Sequence, residues 1–211
     1  YTGHGVWRVT IPRPSGQTFQ SIHYGVGAKA GLVPLTQELM YLLLVTNEPD
    51  RPWFESHQLE PALRDRLTQF DGPRVRTVRE SLSSASNIVY TAIEEVILPS
   101  PWFRGRTILI GDAAHASGPH IAQGATMAIE DACVIADELG KDQPLANALD
   151  AFMKRRYVRC KFVQDFSRKM GEEGQLTDPA ECVARNERFR TIFATQTPQP
   201  RPHEATLSEP I

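Results

Sequence analysis

One stretch of the chain reads Gly105-Arg106-Thr107-Ile108-Leu109-Ile110-Gly111-Asp112-Ala113-Ala114-His115, and it predicts a strand that ends in a tight turn. The apolar, β-branched run favours the strand, and the Gly-Asp pair stops it. A helical pattern opens at Gln123-Gly124-Ala125-Thr126 and runs to Leu139. The first amides of such a helix have no acceptor within it, and the helix dipole is positive there. The stretch therefore predicts a site for an electron-rich oxygen, beside which Asp112 can accept hydrogen bonds from a ribose or polyol.

These residues resemble the second flavin motif of the FAD-dependent aromatic hydroxylases, the group A flavoprotein monooxygenases related to para-hydroxybenzoate hydroxylase. The residues that match are Gly111-Asp112-Ala113-Ala114-His115, Pro119, Gln123-Gly124 and Ala128-x-Glu130-Asp131-Ala132. Most members carry Gly where this chain has Ala122. An Ala restricts the backbone angles at that position and adds one methyl group.

The resemblance implies specific roles within the motif. In the family the Asp binds the ribityl chain of FAD, and backbone amides after the Gly hold the pyrimidine oxygen of the isoalloxazine ring. The Pro lies beside the reactive face of the ring. The implied cofactor-binding residues are Gly111, Asp112, Pro119, Gly124, Ala125 and Thr126. His120, next to Pro119, is implied on the substrate side.

The activity implied by the resemblance is that of an oxidoreductase. Such a hydroxylase uses FAD, NAD(P)H and O2 to hydroxylate an aromatic or heteroaromatic small molecule. The cofactor performs the difficult chemistry, while the protein positions it and excludes water. No catalytic base can be identified from the residues. Two alternatives stay open, namely a related flavin enzyme such as a halogenase or reductase, and a non-catalytic fragment or scaffold module.

The family's glycine-rich unit for the ADP half of FAD has no counterpart in the sequence. Gly25-x-Gly27-x-x-x-Gly31 is followed by Pro34 rather than by a helical pattern, so it predicts a strand turn and not a phosphate loop. Asp71-Gly72-Pro73 also predicts a turn. We therefore expect a C-terminal fragment of a longer flavoprotein, inactive alone. An upstream FAD-binding segment or a homo-oligomer is expected as its partner.

The predicted fold is an α+β fragment of an α/β FAD-binding fold. Residues 1–100 predict a mostly antiparallel substrate-domain sheet with one or two helices, which in the family roofs the flavin and forms the substrate pocket. Residues 101–142 hold the strand, loop and helix of the flavin motif, and residues 143–194 predict C-terminal helices. Residues 195–211, rich in proline, predict a disordered tail.

Alternation and apolar spacing predict the individual elements. The predicted strands cover residues 6–11, 18–24, 31–35, 38–46 and 88–96. The predicted helices cover residues 57–70, 123–139 and 145–169, with a further short helix within 176–194. Residues 75–86 favour neither state.

Composition narrows the class of protein. With 211 residues and 41% hydrophobic content, the chain can bury a real core, which predicts one domain, with or without appendages. A formal net charge of −2 gives no case for binding nucleic acid or an anionic membrane. The cysteines, Cys133, Cys160 and Cys182, are odd in number and widely spaced, which fits a reducing compartment. No apolar run approaches the ~20 residues of a membrane span. No signal peptide is visible, and a cytoplasmic location is expected.

Several polar residues have competing interpretations. Asp112, His115 and His120 offer metal ligands, but a site needs a further convergent ligand, so no metal is expected. Glu130 and Asp131, in mid-helix, predict structural contacts rather than chemistry.

Two further groups of residues have a structural and a functional interpretation. The basic residues Lys154, Arg155, Arg156 and Arg159 predict a solvated helix face rather than a phosphate site. Four residues lie on the strands of the predicted sheet: Trp7, Arg8, His23 and Tyr24. Ordinary sheet packing is favoured over a role in the pocket for the aromatic residues, and a surface ion pair is favoured for Arg8. Strand alternation places Trp7 and Arg8 on opposite faces, so at most one can face a flavin.

Overall fold

The structure, a computed structural model, describes residues 1–84, 86–194, 206–209 and 211. It forms two compact units. One comprises Tyr1–Ile93 and Glu173–Thr191, and the other Glu94–Glu172 and Ile192–Ile211. Each unit contains one of the two main apolar clusters.

A five-stranded antiparallel sheet in the order β2-β3-β4-β1-β5 forms the first unit. The strands are β1 (His4–Pro12), β2 (Ser21–Tyr24), β3 (Ala28–Pro34), β4 (Leu39–Asn47) and β5 (Ile88–Ala92). Strand β1 lies between β4 and β5. Its register with β4 sets Trp7 opposite Leu44, and its register with β5 sets Trp7 opposite Tyr90. The turn between β2 and β3 contains Gly27 at φ +62, which confirms the predicted glycine turn.

Helices α1 (Ser56–Arg66) and α2 (Pro73–Ser81) pack on one face of this sheet. Their apolar residues Leu63, Val75 and Val78 are fully buried with Trp7. The second helix covers the stretch that the sequence left unassigned. Gly72 precedes Pro73 there, and a proline suits the first helical position because its missing N–H has no acceptor to lose.

Trp7 and Arg8 lie on opposite faces of the sheet, as alternation predicts. Trp7 is fully buried in the core, so the packing interpretation is confirmed for this residue. Arg8 is half-buried, and its Nη1 donates to Thr91 Oγ1 at 3.4 Å rather than to a carboxylate. Arg66 donates to Glu48 at 2.5 and 2.9 Å, and its guanidinium lies 4.8 Å from the Trp7 ring.

The buried Arg185 anchors α6 (Pro179–Ala194) in the same unit. Its guanidinium donates to the carbonyl oxygens of Gly25 at 3.2 Å and Glu173 at 3.3 Å, and lies 4.9 Å from the Tyr24 ring. Glu173 belongs to the last turn of a helix, where a cation stabilises the unpaired carbonyls.

Most of the second unit is helical. It contains the hairpin β6 (Phe103–Arg104) and β7 (Thr107–Ile108), the single turn α3 (Asp112–His115) and α4 (Gly124–Leu139). It also contains most of α5 (Leu145–Gly174), which extends beyond the predicted residue 169. The core residues of this unit are Trp102, Ala114, Met127, Val134, Phe152, Met153, Cys160 and Val163.

The strand before Gly111 is shorter than predicted. Only Thr107–Ile108 pairs in a ladder, whereas Leu109 and Ile110 are 41% and 37% exposed and lie outside any strand of the described residues. A β-branched sequence becomes a strand only where a neighbouring strand accepts its hydrogen bonds. The order of elements nevertheless confirms the predicted α+β class, with an antiparallel sheet and C-terminal helices.

The predicted disordered tail falls mostly outside the described residues, since 195–205 and 210 are not described. Residues 206–208 form one helical turn, in which Leu207 packs against the core of the second unit. Within the described part of the chain, every helix is too short or too polar to cross a bilayer.

Candidate functional site

The turn at Gly111 has a geometry that glycine alone adopts readily, with φ +57 and ψ −143. A Cβ at Gly111 would lie 3.1 Å from the Cβ of Ala128. The absence of that atom lets the turn pack directly on α4. Its backbone N–H donates to Asp131 Oδ2 at 2.8 Å. Because Ala128 and Asp131 are three residues apart, one face of α4 provides both contacts.

The carboxylate of Asp131 is completely buried and accepts hydrogen bonds from Gly111, His115 and Arg156, while Cys160 Sγ lies 4.0 Å from its Oδ1. Besides Gly111, His115 Nε2 lies 2.6 Å from Oδ2, and Arg156 Nε donates to Oδ1 at 2.7 Å. Burial alone would raise the pKa of Asp131, but the bonds from His115, Gly111 and Arg156 lower it below its usual value. Burial would lower the pKa of His115, but the bond to Asp131 and the proximity of Cys160 raise it to about 9. Both groups are therefore charged at neutral pH.

A buried ion-pair network extends from Asp131 along the facing helices. Arg156 Nη1 donates to Glu130 Oε2 at 2.6 Å, and Arg159 donates to both oxygens of Glu130 at 2.7 and 2.8 Å. The side chains of Glu130 and Asp131 thus make structural contacts, as predicted. The prediction of a solvated basic face was wrong for Arg156 and Arg159, which are 0% and 9% exposed. Their carboxylate partners lie on α4, which a charge run on α5 does not reveal.

The N-terminus of α4 presents free backbone donors. Among the described residues no side chain caps it, and the N–H of Met127 bonds back to the carbonyl of Gln123 at 2.9 Å. The amides of Gly124, Ala125 and Thr126 have no acceptor within the helix. Ala125 and Thr126 are exposed, and Gly124 is half-buried. This arrangement suits a partially negative oxygen.

Asp112, Pro119 and His120 lie before that helix end. Asp112 is exposed directly after the Gly111 turn, whereas Pro119 and His120 are half-buried in the loop between α3 and α4. Ala122, at the end of the loop, has φ +55, a left-handed conformation that an alanine adopts only with strain. The position where most of the resembled family carries glycine thus keeps a glycine-like backbone here.

One group of side chains has the composition of a metal site. Ligand atoms of His115, Asp131 and Cys160 lie within 4.8 Å of one another. The guanidinium of Arg156 already bonds to Asp131 Oδ1, and its Nη2 lies 3.4 Å from Cys160 Sγ. The guanidinium thus already bonds to two of the three candidate ligands. His115, predicted as a possible ligand together with Asp112, is directed to Asp131 instead.

The spacing of Asp131 within α4 is a sequence signal for this network. Asp131 lies four residues after Met127 and three before Val134, which are both buried. Such spacing places the carboxylate on the apolar face of α4. A carboxylate on a buried face requires a hydrogen-bonded cation or similar donors.

Comparison with known proteins identifies the family. The family described as "FAD binding domain" matches residues 8–167. The chain belongs to this family. The chain is 35% identical over 193 residues to the putative FAD-dependent monooxygenase YetM of Bacillus subtilis, covering 87% of this chain and 52% of that protein. It is 32% identical over 195 residues to 2-heptyl-3-hydroxy-4(1H)-quinolone synthase of Pseudomonas aeruginosa, covering 91% and 50%.

A solved structure shows the same fold. The chain superposes on the structure of Klebsiella pneumoniae HpxO complexed with FAD and uric acid, with a TM-score of 0.76 and 24% sequence identity. The match covers 90% of this chain and 49% of that one. The chain spans about half the length of the curated relatives it matches. The predicted resemblance to FAD-dependent monooxygenases is confirmed by these matches, as is FAD as the cofactor of the family.

Proposed function

We propose that the chain is the C-terminal part of an FAD-dependent monooxygenase that hydroxylates an aromatic or heteroaromatic small molecule with NAD(P)H and O2. The family and the FAD-dependent monooxygenase YetM support the reaction class. The uric acid in the HpxO complex is heteroaromatic, which supports the substrate class. An upstream FAD-binding segment or a second copy of the chain would complete the protein.

The observation that carries this proposal is the uncapped start of α4 after the Gly111 turn. Gly111 bonds to Asp131 and packs closely on Ala128, so the turn that carries Asp112 is held against α4. The exposed amides of Ala125 and Thr126 lack acceptors within the helix. A carboxylate and free amides at a helix start fit a polyol chain and a ring carbonyl. The residues present thus fit the ribityl and pyrimidine parts of FAD.

Each proposed residue has a defined task. Asp112 accepts hydrogen bonds from ribityl hydroxyls, and the amides of Gly124, Ala125 and Thr126 donate to the pyrimidine oxygen. Pro119 and His120 border the ring and the substrate. The positive end of the α4 dipole stabilises negative charge on the oxygen that these amides bind. When bound, FAD supplies the redox chemistry by accepting a hydride from NAD(P)H and activating O2.

The location proposed for the protein is cytoplasmic. Cys133, Cys160 and Cys182 are all free thiols. Unpaired cysteines fit a reducing compartment, in which NADH and NADPH are also available as donors.

Flavin retention by the full-length protein tests the proposal. Asp112→Ala removes the acceptor for the ribityl hydroxyls, so the FAD content after purification should fall by about tenfold or more, as expected for loss of charge-assisted bonds. The matched control is Asp142→Ala, which removes another exposed carboxylate in the loop after α4. That variant should keep its FAD. An unchanged FAD content in Asp112→Ala would contradict the role of this residue.

A further inference from the structure

Three residues of α5 lie on one face of the helix and meet the loop that carries Pro119. Gln164, Ser167 and Gly171 are spaced by three and four residues, so they share a face. The loop runs from Ala116, at the C-terminal end of α3, into the turn at Pro119 and His120. Each of the three helix residues contacts a different residue of the loop.

Gln164 holds the start of the loop. Its side chain is 1% exposed, and its Nε2 donates to the carbonyl oxygens of Ala116 at 2.8 Å and Val96 at 2.6 Å. The N–H of Val96 in turn donates to Ala116 at 3.0 Å. One buried amide thus binds two carbonyl oxygens, one of them at the residue where the chain leaves α3, and so holds the start of the loop in place.

Ser167 holds the middle of the loop. The residue is completely buried, and its Oγ donates to the carbonyl oxygen of Gly118 at 2.6 Å. Gly118 itself leaves no room for a side chain, because a Cβ there would lie 3.0 Å from Glu95 Oε1 and 3.0 Å from His120 Cδ2. The Ser167 hydroxyl thus bonds to the loop at a residue whose surroundings leave no room for a side chain.

Gly171 determines where the imidazole of His120 can lie. A Cβ at Gly171 would lie 2.5 Å from Nε2 and 2.6 Å from Cδ2 of His120, well inside van der Waals contact. A glycine in the interior of a helix costs about 1 kcal/mol relative to alanine, so its presence calls for a packing reason. Here the reason is that the imidazole lies directly against the helix backbone.

We propose that Gln164, Ser167 and Gly171 are positioning residues that hold the loop at alternate residues, 116, 118 and 120, so that Pro119 and His120 take one fixed place beside the flavin ring. This inference rests on the proposed function. Groups that border a reacting centre must be held within about 0.5 Å of their productive place, and their support comes from residues that do not touch the reactants. The face of α5 provides that support for this loop.

Two variants of α5 test the inference on the loop itself. Ser167→Ala removes one bond, and Gly171→Ala forces the imidazole of His120 away. In both, hydrogen exchange of the loop amides at residues 116–121 should accelerate by about tenfold or more, while α4 keeps its protection. The matched control is Gly174→Ala in the same helix, where the nearest atom is the flexible end of Lys29. That change should leave the loop unaffected.

A rescue variant connects the effect to the imidazole. In the Gly171→Ala background, His120→Ala removes the ring that the new methyl displaces, so the loop should regain its slow exchange. Unchanged exchange in both single variants, or no rescue in the double variant, would overturn the proposed contacts.

The effect on the reaction is measured in the full-length protein with FAD bound. Ser167→Ala and Gly171→Ala should change the visible spectrum of the flavin and increase the share of NAD(P)H electrons that reduce O2 to H2O2 by about threefold or more, since a 1 Å displacement has large effects on rate. If the wild-type protein hydroxylates its substrate and the variants lose no more NAD(P)H electrons to H2O2 than the wild type does, the positioning role alone would be overturned. A wild-type protein that retains no FAD would overturn the proposed function instead.

Discussion

The backbone N–H of Gly111 donates to the buried carboxylate of Asp131 at 2.8 Å. This bond joins the turn before Asp112 to α4, whose first amides form the other half of the candidate flavin site. The same carboxylate binds His115 and Arg156, so the turn, α3 and α5 meet at one side chain. The place of Asp112 therefore depends on a residue outside the candidate flavin site.

Replacing Asp131 should destabilise the protein strongly. Asp131→Asn keeps the shape but removes the charge, which leaves Arg156 and His115 buried without their full counter-charge. We expect the free energy of unfolding to fall by roughly 3 kcal/mol, as for broken buried ion pairs. Urea denaturation followed by circular dichroism measures this change. The control is Asp137→Asn on the same helix, where the carboxylate is 51% exposed and little change is expected. Equal effects of the two variants would contradict the central role of Asp131.

The stability of the fold should require arginine at position 156, because a positive charge alone does not provide the same hydrogen bonds. The guanidinium of Arg156 donates to Asp131 through Nε and to Glu130 through Nη1. A lysine has a single ammonium group that cannot reproduce this planar fork. We expect Arg156→Lys to lower the free energy of unfolding by about 2–3 kcal/mol, because a buried acceptor loses its donor. Lys154→Arg, at an exposed position of α5, is the matched exchange and should be neutral. A stable Arg156→Lys protein would refute this account.

The charge of His115 should make stability depend on pH. Burial would lower the pKa of His115, but Asp131 and Cys160 together outweigh it and raise the pKa from 6.5 to about 9 in the folded state. The proton therefore stabilises the fold fully below about pH 6.5, and this contribution is lost as the pH rises through about 9. The loss is on the order of 3 kcal/mol for a shift of this size.

The variant His115→Gln isolates the contribution of His115 to the pH dependence of stability. His115→Gln has no titrating ring, so the difference in unfolding free energy between wild type and variant should shrink between about pH 6 and pH 10. The comparison cancels other groups, among them Lys29, whose pKa burial lowers to about 8. A difference that stays constant with pH would show that His115 is not charged in the folded protein.

The helices and strands were predictable where the pattern is local. Apolar spacing placed α4 within one residue of its bounds, and alternation placed Trp7 and Arg8 on opposite faces of β1. The helix α2 was missed because its apolar positions, Val75 and Val78, are few among arginines. The strand before Gly111 was overpredicted because a strand needs a paired neighbour, which propensity does not provide.

The contacts of the site were less predictable than its motif. Residues after Gly111 could be assigned from their likeness to a flavin motif, since those residues are close in sequence. Arg156 could not, because its partners Glu130 and Asp131 lie 26 and 25 residues away on another helix. A charged side chain on one helix has the same sequence pattern whether it faces water or a buried carboxylate. Only the packing of α4 against α5 distinguishes the two.

Replacing Ala122 by glycine should stabilise the protein. Its φ of +55 is strained for any residue with a Cβ, and glycine adopts it freely. We expect Ala122→Gly to raise the free energy of unfolding by about 1 kcal/mol, the typical cost of the left-handed conformation. Ala128→Gly, in the helical conformation of α4, is the opposite case and should destabilise. Destabilisation by Ala122→Gly would show that this backbone conformation is not populated.

The isolated chain should bind FAD weakly or not at all. The candidate site offers Asp112 and the amides at the start of α4 to the ribityl and ring parts of the cofactor. Within the described residues, the only glycine-rich turn, at Gly25 and Gly27, leads into strand β3 rather than into a helix, so it offers no helix start for the pyrophosphate. Titration of the 211-residue chain with FAD, followed by the visible spectrum and fluorescence, measures the affinity. Any residual binding should disappear in Asp112→Ala and persist in Asp142→Ala. A tight stoichiometric complex with a shifted spectrum would show that this chain holds the whole cofactor without an upstream segment.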